Sequence, residues 1–545
     1  MNPFQSKDEQ QQQPPPVPTP YYKQYPNGRG SNSNEPKQGY DEEYGPQSSY
    51  QQQGYSVPGQ GGPPPINFSS KPTGTGPTFE DKFQIAKPKW NDVWFIPIFL
   101  GVLGGFIAVA VITLKEYVDN RGFEGGSIYS TQNTFSLNTN TIILFGFVTV
   151  VAVVMAILYY TMARIFTKQF IIGTIILNIT LSIGTAIYYL VEKYWSAGIV
   201  FLIWGLFSAF CYWTMRRRIP FATIVLQTVI DVTRLFPSTL LISALGAIVS
   251  GAFAVFFSVV MVSTYVKYNT DPNNPSCANG GCSSATLVGL LIYITFAAYY
   301  ISEVVKNVIH TSICGVYGSW YYCYRSDQGM PKWPAWGAFK RSMTYSFGSI
   351  TFGSLIVAFI NLLKELVQLA AQLNADNGGN VAVAFLICIA QCFIGIIDWA
   401  IQYFNHYAYT YIALYGKAYI PAAKDTWTII KARGIDALIN DSLINNVLIF
   451  GSTFIGFVTA LLGYFFLRFT HPAYNSGGGY YPIIVAYSLL IGVQIANITT
   501  VSITSGVATF FVALAKDPDV FRMSYPDVYE NLLQAYPAVR EKLNI

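Results

Sequence analysis

Charge is what this sequence has least of. Only 11% of its 545 residues are Asp, Glu, Lys or Arg, whereas soluble domains carry roughly 25%. A water-soluble globular domain is excluded on that ground alone. Histidine is scarcer still, with His310, His406 and His471 the whole supply. Histidine-based metal centres and triads therefore lack material. No GxxxxGK, HExxH, CxxC or GxSxG occurs, so nothing marks a nucleotide site, a zinc protease, a thiol redox centre or a serine nucleophile. The chain is expected not to be an enzyme and to need no cofactor and no metal. The first residues are polar, so no secretory signal is visible, and the first membrane helix is expected to act as the targeting signal. A net charge of +5 is too small and too scattered for a nucleic-acid partner.

What the chain has in quantity is apolar sequence, at 52% of residues. Ten runs are each about the ~20 residues that a helix needs to cross a bilayer. They fall at 94–114, 141–160, 170–191, 197–215, 240–266, 287–309, 345–363, 381–401, 443–467 and 482–504. The expected fold class is all-α, a polytopic membrane protein with about ten transmembrane helices. Residues 1–88 are rich in Gln, Pro, Gly, Ser and Tyr, as in QQQQPPPVPTP and GGPPP. Such a stretch cannot bury enough apolar surface to fold alone. It is expected to be a disordered cytosolic tail, with polyproline segments that an adaptor domain could read. The membrane domain then spans 89–515, with a C-terminal tail at 516–545. Residues 221–236 and 402–441 mix apolar and charged character and suit amphipathic helices at the cytosolic interface.

The stretch Leu287–Ile360 organises the rest. Two apolar runs flank GVYGSWYYCYRSDQGMPKWPAWGAFKR, which reads as a loop rich in aromatic and basic residues. The first run carries Glu303, Lys306, Asn307 and His310 at i, i+3, i+4 and i+7, one helical face. Ionisable groups inside a span are costly and mark a pathway or a pair. Other polar stripes are Asp398, Gln402, Asn405 and His406; Gln494, Asn497, Thr500 and Thr504; and Asn178, Ser182 and Thr185. Interhelical hydrogen bonding would explain any one of them; together with Glu303 they point to a polar interior. Aromatic faces near a carboxylate suit a quaternary ammonium. Candidate solute-binding residues are therefore Asp398, Gln402, Glu303, Asn307, Trp195, Tyr299, Gln494 and Asn497. Lys306 lies one turn from Glu303 and can neutralise it, whereas Asp398 has no basic residue in its span. Asp398→Asn is thus expected to weaken solute binding more than Glu303→Gln.

Lys and Arg set the orientation. With both termini inside, the inner loops and C-terminal tail hold 18 basic residues and the outer loops 6, as the positive-inside rule requires. Cys277 and Cys282 then share an outer loop, SCANGGCSS. An oxidising exterior and the tight Ala-Asn-Gly-Gly turn favour a disulfide. The other five cysteines are expected to be buried thiols.

YYISEVVKNVIH, GVYGSWYYCY, KRSMTYSFGSITFGSL and FNHYAYTYIALYGKAYIPAAK resemble the choline transporter-like family (solute carrier family 44), from Lys89 onward. WSAGIVFL, DALIND and FFVALAKDP are similar to its fungal branch. The resemblance implies a ten-span fold with cytosolic termini, a plasma-membrane location, contact with membrane lipid, and a solute-carrier role. Choline or a related amine is the natural small-molecule partner. The first outer loop, Lys115 to Asn140, is shorter than in animal members of that family. The alternative is a non-transporting membrane organiser or a lipid-handling protein that uses its tail for partners.

Overall fold

The computed structural model describes residues 89–119, 139–270, 283–326, 329–376, 378–433, 436–470 and 481–535. The N-terminal tail, Cys277, Cys282 and His471 lie outside them. Among the described residues there are helices and no strands. Ten are long and apolar enough to cross a membrane, matching the ten runs of the sequence. In chain order they are α1 (Phe95–Asp119), α2 (Thr139–Ile165), α3 (Thr167–Val191), α4 (Trp195–Met215), α6 (Ser238–Tyr268), α7 (Ser284–Cys323), α9 (Phe347–Asp376), α10 (Val381–Tyr415), α12 (Asp436–Thr470) and α13 (Tyr481–Lys516). Among the described residues five further α-helices connect or follow them: α5 (Ile219–Leu235), α8 (Pro334–Met343), α11 (Tyr419–Arg433), α14 (Pro518–Ser524) and α15 (Pro526–Ala535).

The centre is α7 against α13, around which α1, α2, α6, α9 and α10 pack. The reading of GVYGSWYYC as loop is overturned. It is the last part of α7, which runs 40 residues without a break. Thr311, Gly315 and Ser319 recur at four-residue spacing and let neighbours approach closely. The aromatic side chains fill the space around them, as where the Tyr317 hydroxyl meets Thr233 Oγ1 at 2.6 Å. Glycine's poor helix propensity is outweighed by that packing.

The segment 221–236 is helical, as expected, but its apolar face is inside the protein. Val225, Leu226 and Val229 of α5 are buried, and α5 packs on α13, α3 and α12. Its Asp231 takes a two-pronged bond from Arg164 at the end of α2, at 2.8 and 2.9 Å. Of 402–441, the first part continues α10, Tyr419–Arg433 is a separate helix, and the last residues begin α12.

Both described ends meet at one face of the membrane domain. Asn91 Nδ2 donates to the carbonyl of Gly416 at 2.8 Å. Asp92 Oδ2 accepts from Ser349 Oγ at 2.6 Å and from Tyr419 N at 2.7 Å. A Cβ at Gly348 would collide with the Asn91 and Asp92 backbone, so glycine is needed there. At the same face Asp517 Oδ2 accepts from Tyr322 at 2.7 Å and from Tyr415 at 3.2 Å. We call this the terminal face. Residues 517–535 are no loose tail. Phe521 of α14 is fully buried against Tyr321, Phe510 and Tyr529.

Cysteine burial is only partly as expected. Cys314 and Cys323 are buried, but Cys388 and Cys392 are exposed on α10. The first half of α10 presents its surface outward with Phe385, Leu386 and Phe393, and a thiol is apolar enough to join that face.

Candidate functional site

A cavity of about 280 Å³ lies between α7, α9, α10, α12 and α13. Glu303, Lys306 and Asn307 enter it from α7, and Gln402, Tyr403, Asn405 and His406 from α10. Val357, Asn445 and Thr504 complete the wall. The i, i+3, i+4 face of α7 thus meets the polar stripe of α10 across one space. Its volume is just under the ~300–1,000 Å³ of drug-sized sites and suits a small solute.

Glu303 carries the cavity's negative charge. Lys306 Nζ donates to its two oxygens at 3.2 and 3.4 Å. The two side chains differ in setting: Glu303 is 14% exposed and Lys306 59%. An ion pair with one so exposed partner is worth only about 0–1 kcal/mol, so Lys306 can be displaced. Asn307 Nδ2 lies 3.5 Å from Glu303 Oε2 and donates to Ser354 Oγ at 2.9 Å, which fixes the amide. Behind this wall His310 stacks on His406 with ring centroids 4.1 Å apart. The His406 carbonyl can only accept, so His310 Nε2 carries the proton of that 2.9 Å bond. Its Nδ1 meets Ser505 Oγ at 2.8 Å. With amides, rings and one carboxylate weakly paired to Lys306, the cavity has the groups that bind a small cation.

Polar contacts flank the cavity on both sides. One turn back along α10, Asp398 accepts from Gln402 Nε2 at 2.8 Å and pairs with Lys364 of α9. Towards the terminal face, Asn405 Oδ1 accepts from the Tyr419 hydroxyl. Burial pushes that hydroxyl up to about 12, against the lowering effect of Asn405, so it stays a donor. A Cβ at Gly353 would meet the Tyr409 and Tyr419 rings, so this packing also requires glycine.

Of the residues singled out from sequence, Glu303, Asn307 and Gln402 come together in the cavity. Asp398 sits beside it, and the expectation that Asp398 is the less encumbered carboxylate is corrected. Its partner is Lys364, just past the seventh apolar run of the sequence; α9 continues to Asp376 and so includes it. Tyr299 donates to Glu365 Oε1 at 2.7 Å and does not line the cavity. Trp195 is 63% exposed on α4, which packs on α3 at the periphery. Gln494 is exposed and Asn497 half-buried, both outside the cavity wall. Thr500 of the same stripe bonds Tyr160 and Ser452 at 2.8 and 3.1 Å, which is interhelical glue. Ser182 of the α3 stripe lies where a Cβ on Gly205 of α4 would touch it. Asn445 and Tyr419 escape sequence reading; the Asn445-Asn446 pair at the head of an apolar run is the one signal for the former.

Asp398→Asn should destabilise the protein by about 2 kcal/mol, less than the 3–5 kcal/mol of a fully buried broken pair because Lys364 is partly exposed. Lys364→Met added to it should recover most of that loss. Thermal unfolding of the detergent-solubilised variants checks both, and an unaltered Asp398→Asn midpoint would show that the pair contributes nothing.

A family model described as plasma-membrane choline transporter matches residues 199–519, a range that includes every residue lining the cavity. Protein PNS1 of Yarrowia lipolytica is 50% identical over 483 residues, 88% of this chain and 84% of that protein. Protein PNS1 of Debaryomyces hansenii is 53% identical over 465 residues, 85% and 90% of the two chains. Protein PNS1 of Saccharomyces cerevisiae is 48% identical over 485 residues, 88% and 90%.

Proposed function

Because this chain belongs to the choline transporter-like family, in its fungal PNS1 branch, we propose that it carries choline or a related small amine across the membrane. The observation that supports this reading is Glu303: one weakly paired carboxylate in a small cavity walled by amides and rings. The solute's cation displaces Lys306 from Glu303, and the Tyr403 and His406 rings offer their faces to it. Access alternates between two sides. Lys364, Asp398 and Gln402 bar one side; Tyr419, Asn405 and Asp92 bar the terminal face. Asp398 and Asn405 are seven residues apart on α10, about 10 Å at 1.5 Å per residue, which leaves room for one small solute between the bars.

Uptake of labelled amines into liposomes holding the purified full chain tests this reading. Saturable choline uptake, absent from empty liposomes and competed by other quaternary ammonium ions, is expected. No flux with any amine would overturn transport and leave the organiser reading, in which the Gln- and Pro-rich tail binds a cytosolic adaptor.

The same reading places the terminal face in the cytosol of the plasma membrane, where most of the basic loop residues lie. A tag after Ile545 should then be unreactive on intact cells and reactive after permeabilisation; labelling of intact cells refutes the orientation. Cys277 and Cys282 would face the exterior as a disulfide, resisting an impermeant thiol reagent until reductant is added. Labelling of both without reductant refutes the bond.

A further inference from the structure

A second hollow, about 470 Å³, lies on the outer side of α11 against α10. From α11 it takes Ile420, Ala423, Lys424, Trp427 and Thr428, and from α10 Phe404. The α11 positions follow i, i+3, i+4, i+7 and i+8, so they form one face. The opposite face, with Tyr419, Ala422 and Thr426, is buried in the protein. Trp427 is 60% exposed and Ile420 50%.

Part of the positive charge on this face makes no ion pair among the described residues. Lys417 is taken by Asp425 at 2.6 Å. The Lys424 ammonium makes no ion pair among the described residues, and neither does Lys431, one heptad on along the same face. The helix joins two spans at the terminal face, hence at the depth of the lipid headgroups. Trp90 and Trp94 ahead of α1, and Trp333 and Trp336 at the start of α8, are also exposed, as in an interfacial aromatic belt. An apolar floor with an indole wall, an unpaired cation at its rim and a second one heptad along complements acyl chains below a negative headgroup.

We propose that this hollow binds an anionic phospholipid of the surrounding leaflet. Phosphatidylcholine offers the same chains, but its ammonium offsets the phosphate, so Lys424 and Lys431 select the net anionic lipid. The site differs from the solute cavity and holds whether or not that cavity carries an amine. The two share α11: the helix that takes the lipid on its outer face bonds Asn405 through Tyr419 on its inner one.

The test is native mass spectrometry of the delipidated full chain, titrated with dioleoyl phosphatidylglycerol and, separately, dioleoyl phosphatidylcholine. At least one phosphatidylglycerol should bind several-fold more tightly than phosphatidylcholine. Lys424→Gln should weaken that binding about five-fold, the equivalent of ~1 kcal/mol per basic residue at a membrane surface. Lys424→Arg should keep it, and Lys193→Gln, at the α3–α4 turn away from this face, should not change it. Trp427→Ala should weaken both lipids alike. Equal binding of the two lipids, or an unchanged preference in Lys424→Gln, overturns the proposal. So does equal competition by glycerol phosphate, which would assign the cations to a free phosphate.

Discussion

Glu303→Gln should weaken binding of a quaternary ammonium solute roughly 30-fold or more, the equivalent of about 2–5 kcal/mol for removing one partner of a buried charge pair. Two effects add. The carboxylate that would face the cation is gone, and Lys306, no longer neutralised at 3.2 Å, is left to repel it. The companion change has the opposite sign. Lys306→Met frees Glu303 from a pair worth about 0–1 kcal/mol, so binding should tighten by a few-fold. Equilibrium binding of labelled choline to the purified variants reads both. A Glu303→Gln protein that binds like the parent, or a loss with Lys306→Met, removes Glu303 from the counter-charge role. Asp398→Asn should affect binding less than Glu303→Gln, the reverse of the order that sequence alone suggests, because Lys364 already holds Asp398.

Phe521→Ala should be among the most destabilising single changes in the chain, at about 3–5 kcal/mol for truncating a buried phenylalanine. The ring is 0% exposed. It stacks on Tyr321 with centroids 5.7 Å apart and 13° between planes, and meets Phe510 edge-on at 5.1 Å. Nearby, Arg325 donates to the Ser524 carbonyl at 2.6 Å and lies over the Tyr525 ring at 4.5 Å, tying the end of α7 to the C-terminal helices. Ending the chain after Lys516 should therefore lower the midpoint of heat unfolding in detergent at least as far as Phe521→Ala does. Removing residues 2–80 should leave it unmoved, since their composition supplies no core. An unchanged midpoint for Phe521→Ala would show that α14 is a bystander; a fall on N-terminal truncation would show that the Gln- and Pro-rich segment supports the membrane domain.

The ten spans were legible because crossing a bilayer is a local demand: about 20 consecutive apolar residues meet it whatever the rest of the chain does. The shared face of Glu303, Lys306 and Asn307 was legible for a similar reason, since helical periodicity alone aligns them. Family membership was legible as well, in runs such as YYISEVVKNVIH. Partners on other helices were not. Lys364 and Asp398 are 34 residues apart, and only the packing of α9 on α10 makes them a pair. Trp195 and Tyr299 look alike in sequence as aromatic residues near polar positions; one ends on a peripheral hairpin, the other against Glu365. The helix through Cys323 and the burial of Phe521 were hidden because aromatic and glycine-rich segments read locally as loop or tail. Neighbouring helices bury them, and that burial outweighs local propensity.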